Sequence, residues 1–212
     1  MLNKKKYAIL SMDVEDWYHL DYFRHLQCDR AYDMLDGLDN YAKILESHNI
    51  LTTFFVLGDL VLLLKNKLLE LNQKGHEIAS HGWSHQRPLN MTIEDFATDI
   101  SSCKSAHEDT LGIPALGYRA PCFSFDRNRL DILKQSGFKY DSSKILFTDH
   151  PLYANLNIEG YEEKFPGISC FDDFYEFEAS TLPIGGKRIP VSGGGYLRMF
   201  PWFLMRSLLK SY

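Results

Sequence analysis

The chain has 212 residues, 45% of them hydrophobic and 24% charged, a composition that fits one globular domain able to bury a core without covalent staples. Its net charge of −5, with basic residues clustered only at Lys4-Lys5-Lys6, argues against a nucleic-acid partner. The cysteines (Cys28, Cys103, Cys122, Cys170) are widely spaced and form no Cys-x-x-Cys pair, which points to reduced thiols and a cytoplasmic protein.

In chain order, Tyr7 to Met12 predicts a first strand, and its apolar run meets Asp13 too soon for a signal peptide. No stretch approaches the ~20 apolar residues of a membrane span. Leu38, Tyr41, Ile44, Leu45 and His48 recur at helical spacing and predict a helix over 37–48. The β-branched and aromatic run Leu51 to Leu57, ended by Gly58, predicts a second strand. Leucines at 60, 63, 64, 68 and 71 predict a helix from Asp59 to Lys74, closed by Gly75. His76 to Ser80 reads as a third strand. Thr92 with Asp95 has the form of a capping box and opens a helix carrying Phe96, Ile100, Cys103 and Leu111 on one face. Ala115 to Tyr118, a helix over 127–136 and Phe138 to Tyr140 continue the alternation, which argues for a parallel α/β sheet, open or closed into a barrel.

Beyond Ser143 the pattern weakens. Residues 144–163 read as a long loop, and Lys164 to Ser169 as a strand. Gly185-Gly186 predicts a hairpin turn entering a strand over Lys187 to Val191. Gly193-Gly194-Gly195 precedes an apolar helix from Met199 to Lys210. Arg206 and Lys210 interrupt that helix, and membrane-surface contact through it is not expected. No linker or repeat divides the chain, so residues 1–212 are expected to form a single domain.

Polar patches follow several of the apolar runs: Ser11-Met12-Asp13-Val14-Glu15-Asp16-Trp17, Ser80-His81-Gly82-Trp83-Ser84-His85, Tyr118-Arg119-Ala120-Pro121-Cys122-Phe123 and Tyr140-Asp141-Ser142-Ser143. In a parallel α/β domain the carboxyl ends of the strands open on one face, where sites form. His81 and His85, four apart, share a face on a helical turn and can grip one cation. A carboxylate from the first patch completes the donor set. Side chains alternate along a strand, so Asp13 and Glu15 point to one side, one to ligate and one to act as base. Asp16 competes for the ligand role if the strand has ended by that point. His107 reads as a packed helix histidine, and His19 as either a loop residue or part of a cleft. Trp17 and Trp83 suit stacking on a sugar face as well as packing at a barrel rim.

These residues resemble the NodB-type polysaccharide deacetylases. The resemblance is carried by the strand-end carboxylates, Ser80-His81 with His85, Arg119-x-Pro121-x-Phe123 and the strand Thr53-Phe54-Phe55-Val56-Leu57-Gly58. Asp-Val-Glu-Asp-Trp, with Tyr-Asp-Ser-Ser and Gly-Gly-Gly-Tyr-Leu-Arg, is most similar to the branch found beside exopolysaccharide and lipopolysaccharide genes. It runs from about Tyr7 to Arg198.

The resemblance implies a distorted parallel (β/α) barrel and metal-dependent removal of an acetyl group from an N-acetylated sugar of a polysaccharide, lipopolysaccharide or capsule precursor. It implies Zn²⁺ as cofactor, with Co²⁺ or Fe²⁺ as alternatives. Asp13 is then the general base, Glu15 (or Asp16) with His81 and His85 the metal ligands, and Arg119 the residue that orients Asp13. The backbone N–H of Cys122, fixed by Pro121, serves the oxyanion. Trp17, Trp83, Pro121, Cys122 and Asp141 line the substrate pocket. The family also supplies a late His that protonates the departing amine. No histidine follows Gly195 here, so that step has no candidate and the barrel is expected to be incomplete at its C-terminal end. A catalytically silent metal- and glycan-binding relative, and an allantoinase-like amidohydrolase on a non-sugar amide, are the alternatives.

Overall fold

In a computed structural model, residues 8–23, 26, 33–147, 150–190 and 194–211 are described, apart from the side chains of 196–198 and 211. Tyr7, the lysine run, Cys28, Val191 and Gly193 lie outside them. Contacts group the chain into two compact units. One comprises residues 1–85 with 101–115, the other residues 86–100 with 116–212.

The first unit is built on three parallel strands, β1 (Ser11–Val14), β2 (Thr53–Val56) and β3 (Glu77–Ser80). They are in register through Asp13, Phe55 and Ala79, and β2 lies in the middle. Phe54, Phe55 and Val56 are all buried, the continuous apolar run that a strand covered on both faces requires. Helix α1 (Gly37–Ser47) places Leu38, Ala42 and Leu45 on a core shared with Val14, Phe54, Val56 and Ile78. Helix α2 (Lys65–Gln73) adds Leu68 and Leu71, and Gly75 at φ 92° ends it.

The helix predicted from Asp59 starts later, at Lys65. Gly58 and Asp59 donate their N–H groups to the carbonyls of Gly82 (2.9 Å) and Trp83 (3.0 Å), which holds the segment in a 3-10 turn (Gly58–Leu60). A Cβ at Gly58 would meet Trp83 Cε3 at 2.5 Å, so the close approach requires glycine.

Helix α3 (Ile93–Leu111) follows Thr92, whose Oγ1 accepts the Asp95 N–H at 3.1 Å. Its residues to Ile100 belong to the second unit and those from Ser101 to the first.

In the second unit β4 (Gly117–Tyr118), β5 (Tyr140–Asp141) and β8 (Phe174–Phe177) are parallel neighbours in that order. Phe96, Tyr118, Phe125 and Phe138 form an aromatic core with ring centroids 5.4–6.1 Å apart. Helix α4 (Arg127–Gln135) is capped by Asp126, which accepts the Arg129 N–H at 2.9 Å.

The single strand expected over Lys164 to Ser169 is instead a meander. Strand β6 (Glu162–Phe165) pairs antiparallel with β7 (Ile168–Phe171), and β7 with β8. Gly167 at φ 74° makes the first turn possible, while Asp172 (φ 47°) and Asp173 (φ 60°) make the tight second one. Strands β9 (Thr181–Ile184) and β10 (Lys187–Pro190) form a separate hairpin across Gly185-Gly186. The apolar C-terminal segment is two helices rather than one, α5 (Gly194–Met199) and α6 (Trp202–Ser211). Pro201 separates them, having no N–H to continue the first, and its carbonyl accepts the N–H of Leu204 at 3.0 Å. Among the described residues, no helix is long and apolar enough to cross a membrane.

Candidate functional site

The first unit brings Glu15, His81 and His85 together. One ligand atom from each lies within 4.8 Å of the others, and both imidazoles are buried. Strand β1 ends at Val14, so Glu15 is the first residue past the sheet edge, while Asp13 stays half-buried within the strand. His81 follows β3 directly and is anchored by its N–H to the Val56 carbonyl at 2.9 Å. The histidine pair does not lie on a helical turn. Gly82 (φ 78°) and His85 (φ 61°) are left-handed, which no helix tolerates, and the resulting bend sets the rings 5.3 Å apart.

The donors fit a divalent cation: two imidazoles and a carboxylate are the set that zinc and its neighbours take. Glu15 Oε2 is buried and lies 2.7 Å from His85 Nε2, yet its geometry makes no hydrogen bond. That orphaned oxygen, beside two buried imidazoles, is one that a shared cation would satisfy.

Asp16 is committed elsewhere. Its Oδ1 accepts the N–H of Trp17 (2.7 Å) and of Met34 (3.1 Å), so it caps the 3-10 turn Trp17–His19 and ties down the segment before α1. His19 is buried in the same turn. Its Nδ1 accepts the Asp16 N–H at 3.0 Å, which leaves the proton on Nε2, 3.3 Å from Asp59 Oδ2. The His19–Asp59 pair therefore braces the segment bearing Glu15 against the one bonded to Gly82 and Trp83. Sequence reading left Asp59 inside a helix; the Gly58-Asp59 step after a strand was its available signal. Trp83 is 38% exposed, Trp17 is half-buried edge-on to Phe23, and His107 is fully buried in α3.

The second unit holds Arg119, Pro121, Cys122 and Asp141. Arg119 donates from Nε to the Ser142 carbonyl (3.1 Å) and from Nη2 to Ser142 Oγ (2.8 Å). Pro121 opens a 3-10 turn (Pro121–Phe123) in which Cys122 (φ 54°) and Phe123 (φ 49°) are both left-handed, a strained conformation for non-glycine residues. Cys103, Cys122 and Cys170 form no disulfide.

Asp141, expected to line the substrate pocket, is fully buried and offers no accessible surface to a substrate. It accepts from Ser143 N–H (3.1 Å) and Ser143 Oγ (2.6 Å), and faces Glu176, its register partner on β8. Glu176 is also buried and accepts the Lys144 N–H at 2.9 Å. Burial pushes Asp141 up to about 6, against the hydrogen bonds from Glu176 and Ser143. Burial and the neighbouring Asp141 charge push Glu176 well above the carboxylate range. Sequence reading missed Glu176 because a carboxylate on an inward strand position contradicts the pattern by which strands are found.

Residues 28–140 match the polysaccharide deacetylase family, and residues 145–212 a domain of unknown function, DUF3473. The chain belongs to the polysaccharide deacetylase family. It is 26% identical over 120 residues to the peptidoglycan deacetylase of Helicobacter pylori, a match covering 57% of this chain and 41% of that protein. It is 33% identical over 111 residues to chitin deacetylase 1 of Cryptococcus neoformans, covering 50% and 23% respectively. The chain thus spans less than half the length of these relatives. Among solved structures, a Mycobacterium smegmatis protein described as a polysaccharide deacetylase superimposes with a TM-score of 0.59 at 22% identity, over 81% of this chain and 58% of that one. A CE4 family pseudoenzyme from Bacillus anthracis does so with a TM-score of 0.52 at 16% identity, over 64% and 42%. These likenesses show the shared fold, an α/β architecture with mostly parallel strands.

Proposed function

We propose that this chain is a metal-dependent hydrolase that removes an N-acetyl group from an amino sugar of a polysaccharide, or of a lipopolysaccharide or capsule precursor. The observation that carries the reading is the convergence of Glu15, His81 and His85 in a chain of the polysaccharide deacetylase family. Relatives named for peptidoglycan and chitin support an N-acetylated glycan as the substrate class. Cys103, Cys122 and Cys170, which form no disulfide, fit a reaction in the cytoplasm.

Glu15, His81 and His85 hold the cation, with Zn²⁺ the first choice and Co²⁺ or Fe²⁺ the alternatives. Such an ion, when bound, polarises the amide carbonyl and lowers the pKa of water. Glu15 takes the ligand role over Asp16, whose carboxylate already satisfies two backbone N–H groups. Asp13, two residues before Glu15 on β1, is the base that accepts the proton of the attacking water. Trp83 offers an accessible ring for stacking on a sugar. The roles of Arg119, Pro121 and Cys122 rest on the resemblance alone.

His81→Ala and His85→Ala are expected to lose bound metal, read as equivalents per chain by elemental analysis, while circular dichroism shows the domain still folded. Retention of one full equivalent by both variants would contradict the ligand assignment. Parallel assays on a chitooligosaccharide and a ureide decide the substrate class: acetate from the first supports the reading, and turnover of the second alone overturns it.

A further inference from the structure

Two carboxyl groups in dry register on neighbouring strands need a reason. Asp141 and Glu176 are paired across β5 and β8, and both are closed to solvent. An isolated charge there would be costly, and two would be prohibitive. The hydrogen bonds assign the states. Asp141 accepts from both the N–H and the Oγ–H of Ser143, as an anion does; Glu176, its register partner, accepts the Lys144 N–H at one oxygen and buries the other without a donor, a position that a protonated carboxyl turned toward Asp141 would satisfy.

From there the contacts lead to one place. Ser143 Oγ, whose proton is given to Asp141, accepts the Ala120 N–H at 2.8 Å. Ser142 Oγ accepts from Arg119 Nη2 and donates to the Phe177 carbonyl, one residue beyond Glu176. Both anchors grip the chain where it enters the left-handed pair Cys122-Phe123. That turn has further support from Phe123 N–H to the Ala120 carbonyl (3.0 Å) and Ala154 N–H to the Phe123 carbonyl (3.2 Å). Consecutive left-handed non-glycine residues persist only when their surroundings over-determine them.

We propose that Asp141 and Glu176, sharing one proton, act with Ser143 as positioning residues that clamp the Arg119–Phe123 turn in its strained form. The pair itself touches no substrate. Only the activity arm of its test rests on the deacetylase reading. The groups around it are Lys144, which pairs with Glu178, and Tyr161, whose hydroxyl burial and the two carboxylates push up to about 12. On the β7 side the register neighbour of Glu176 is Ser169, which does not titrate.

The test compares Glu176→Gln, Glu176→Met and Ser143→Ala. Backbone amide exchange at Ala120 is followed by NMR at several pH values, alongside kcat and KM for acetate release. Glutamine keeps a neutral donor to Asp141, so exchange and kcat stay near wild type while the loss of protection at alkaline pH disappears. Methionine removes the donor, and serine loss removes the clamp. Each is expected to speed Ala120 exchange about tenfold or more, the scale of one lost buried hydrogen bond, and to lower kcat with little change in KM. If Glu176→Met does not fold, wild type against Glu176→Gln decides: an identical pH dependence of Ala120 exchange in the two removes the carboxyl pair from the clamp and overturns the proposal. Unchanged Ala120 exchange in folded Ser143→Ala overturns the proposal. A wild-type protein without deacetylase activity would sink the functional reading, and the exchange measurements would still decide this one.

Discussion

Asp16 and Glu15 are adjacent carboxylates with different fates, and hydrogen bonding separates them. Asp16 is consumed by backbone N–H groups at the start of a turn, while Glu15, one residue on the other side, keeps a buried oxygen without a hydrogen bond. Asp16→Ala should therefore destabilise the first unit by about 0.5–2 kcal/mol, the worth of an N-cap, and leave metal stoichiometry unchanged. A denaturant melt with parallel metal analysis checks both; loss of metal with unchanged stability would reverse the two assignments. Gly58 is a second case in which local geometry governs the site. Gly58→Ala forces a methyl into the Trp83 ring and is expected to cost about 1–3 kcal/mol of stability by overpacking. A thermal melt equal to wild type would show that the loop yields freely.

At the scale of elements, the buried β5–β8 pair makes stability depend on pH. Burial raises both carboxyl pKa values above those of the unfolded chain, so the protonated pair lends stability that is fully present below the ordinary carboxylate range. That contribution is lost as pH rises through about 6 and beyond. Melting of the wild type should weaken between pH 5 and 8 by a contribution on the order of 1–3 kcal/mol, and Glu176→Gln should lessen that slope without abolishing it, since burial keeps the Asp141 pKa raised. A variant slope equal to wild type would remove Glu176 as its source.

The elements up to Asp141 were legible because short apolar runs, clearest at Phe54-Phe55-Val56, alternate with helices that carry leucine and phenylalanine on one face. The meander from Glu162 to Phe177 was not. All of β6 is exposed, so it has no apolar alternation to read, and Glu176 interrupts the inward face of β8. At the site, the four-residue spacing of His81 and His85 was readable. The means by which they meet was not, because a left-handed histidine leaves no trace in composition.

For the whole molecule, the family match and the donor cluster converge on one chemistry from independent directions. The family match covers residues 28–140, whereas Glu15 lies before that range and is brought to the histidines by strand β1. The central claim is that a cation held by these three side chains makes the protein a deacetylase. Its most direct measurement is acetate release from an N-acetylated oligosaccharide by the chelator-stripped and Zn²⁺-restored wild-type chain, with bound zinc quantified in the same samples. We expect no release from the stripped protein and recovery of activity in proportion to zinc, approaching one equivalent per chain. Folded protein carrying a full equivalent of zinc and releasing no acetate would contradict the account.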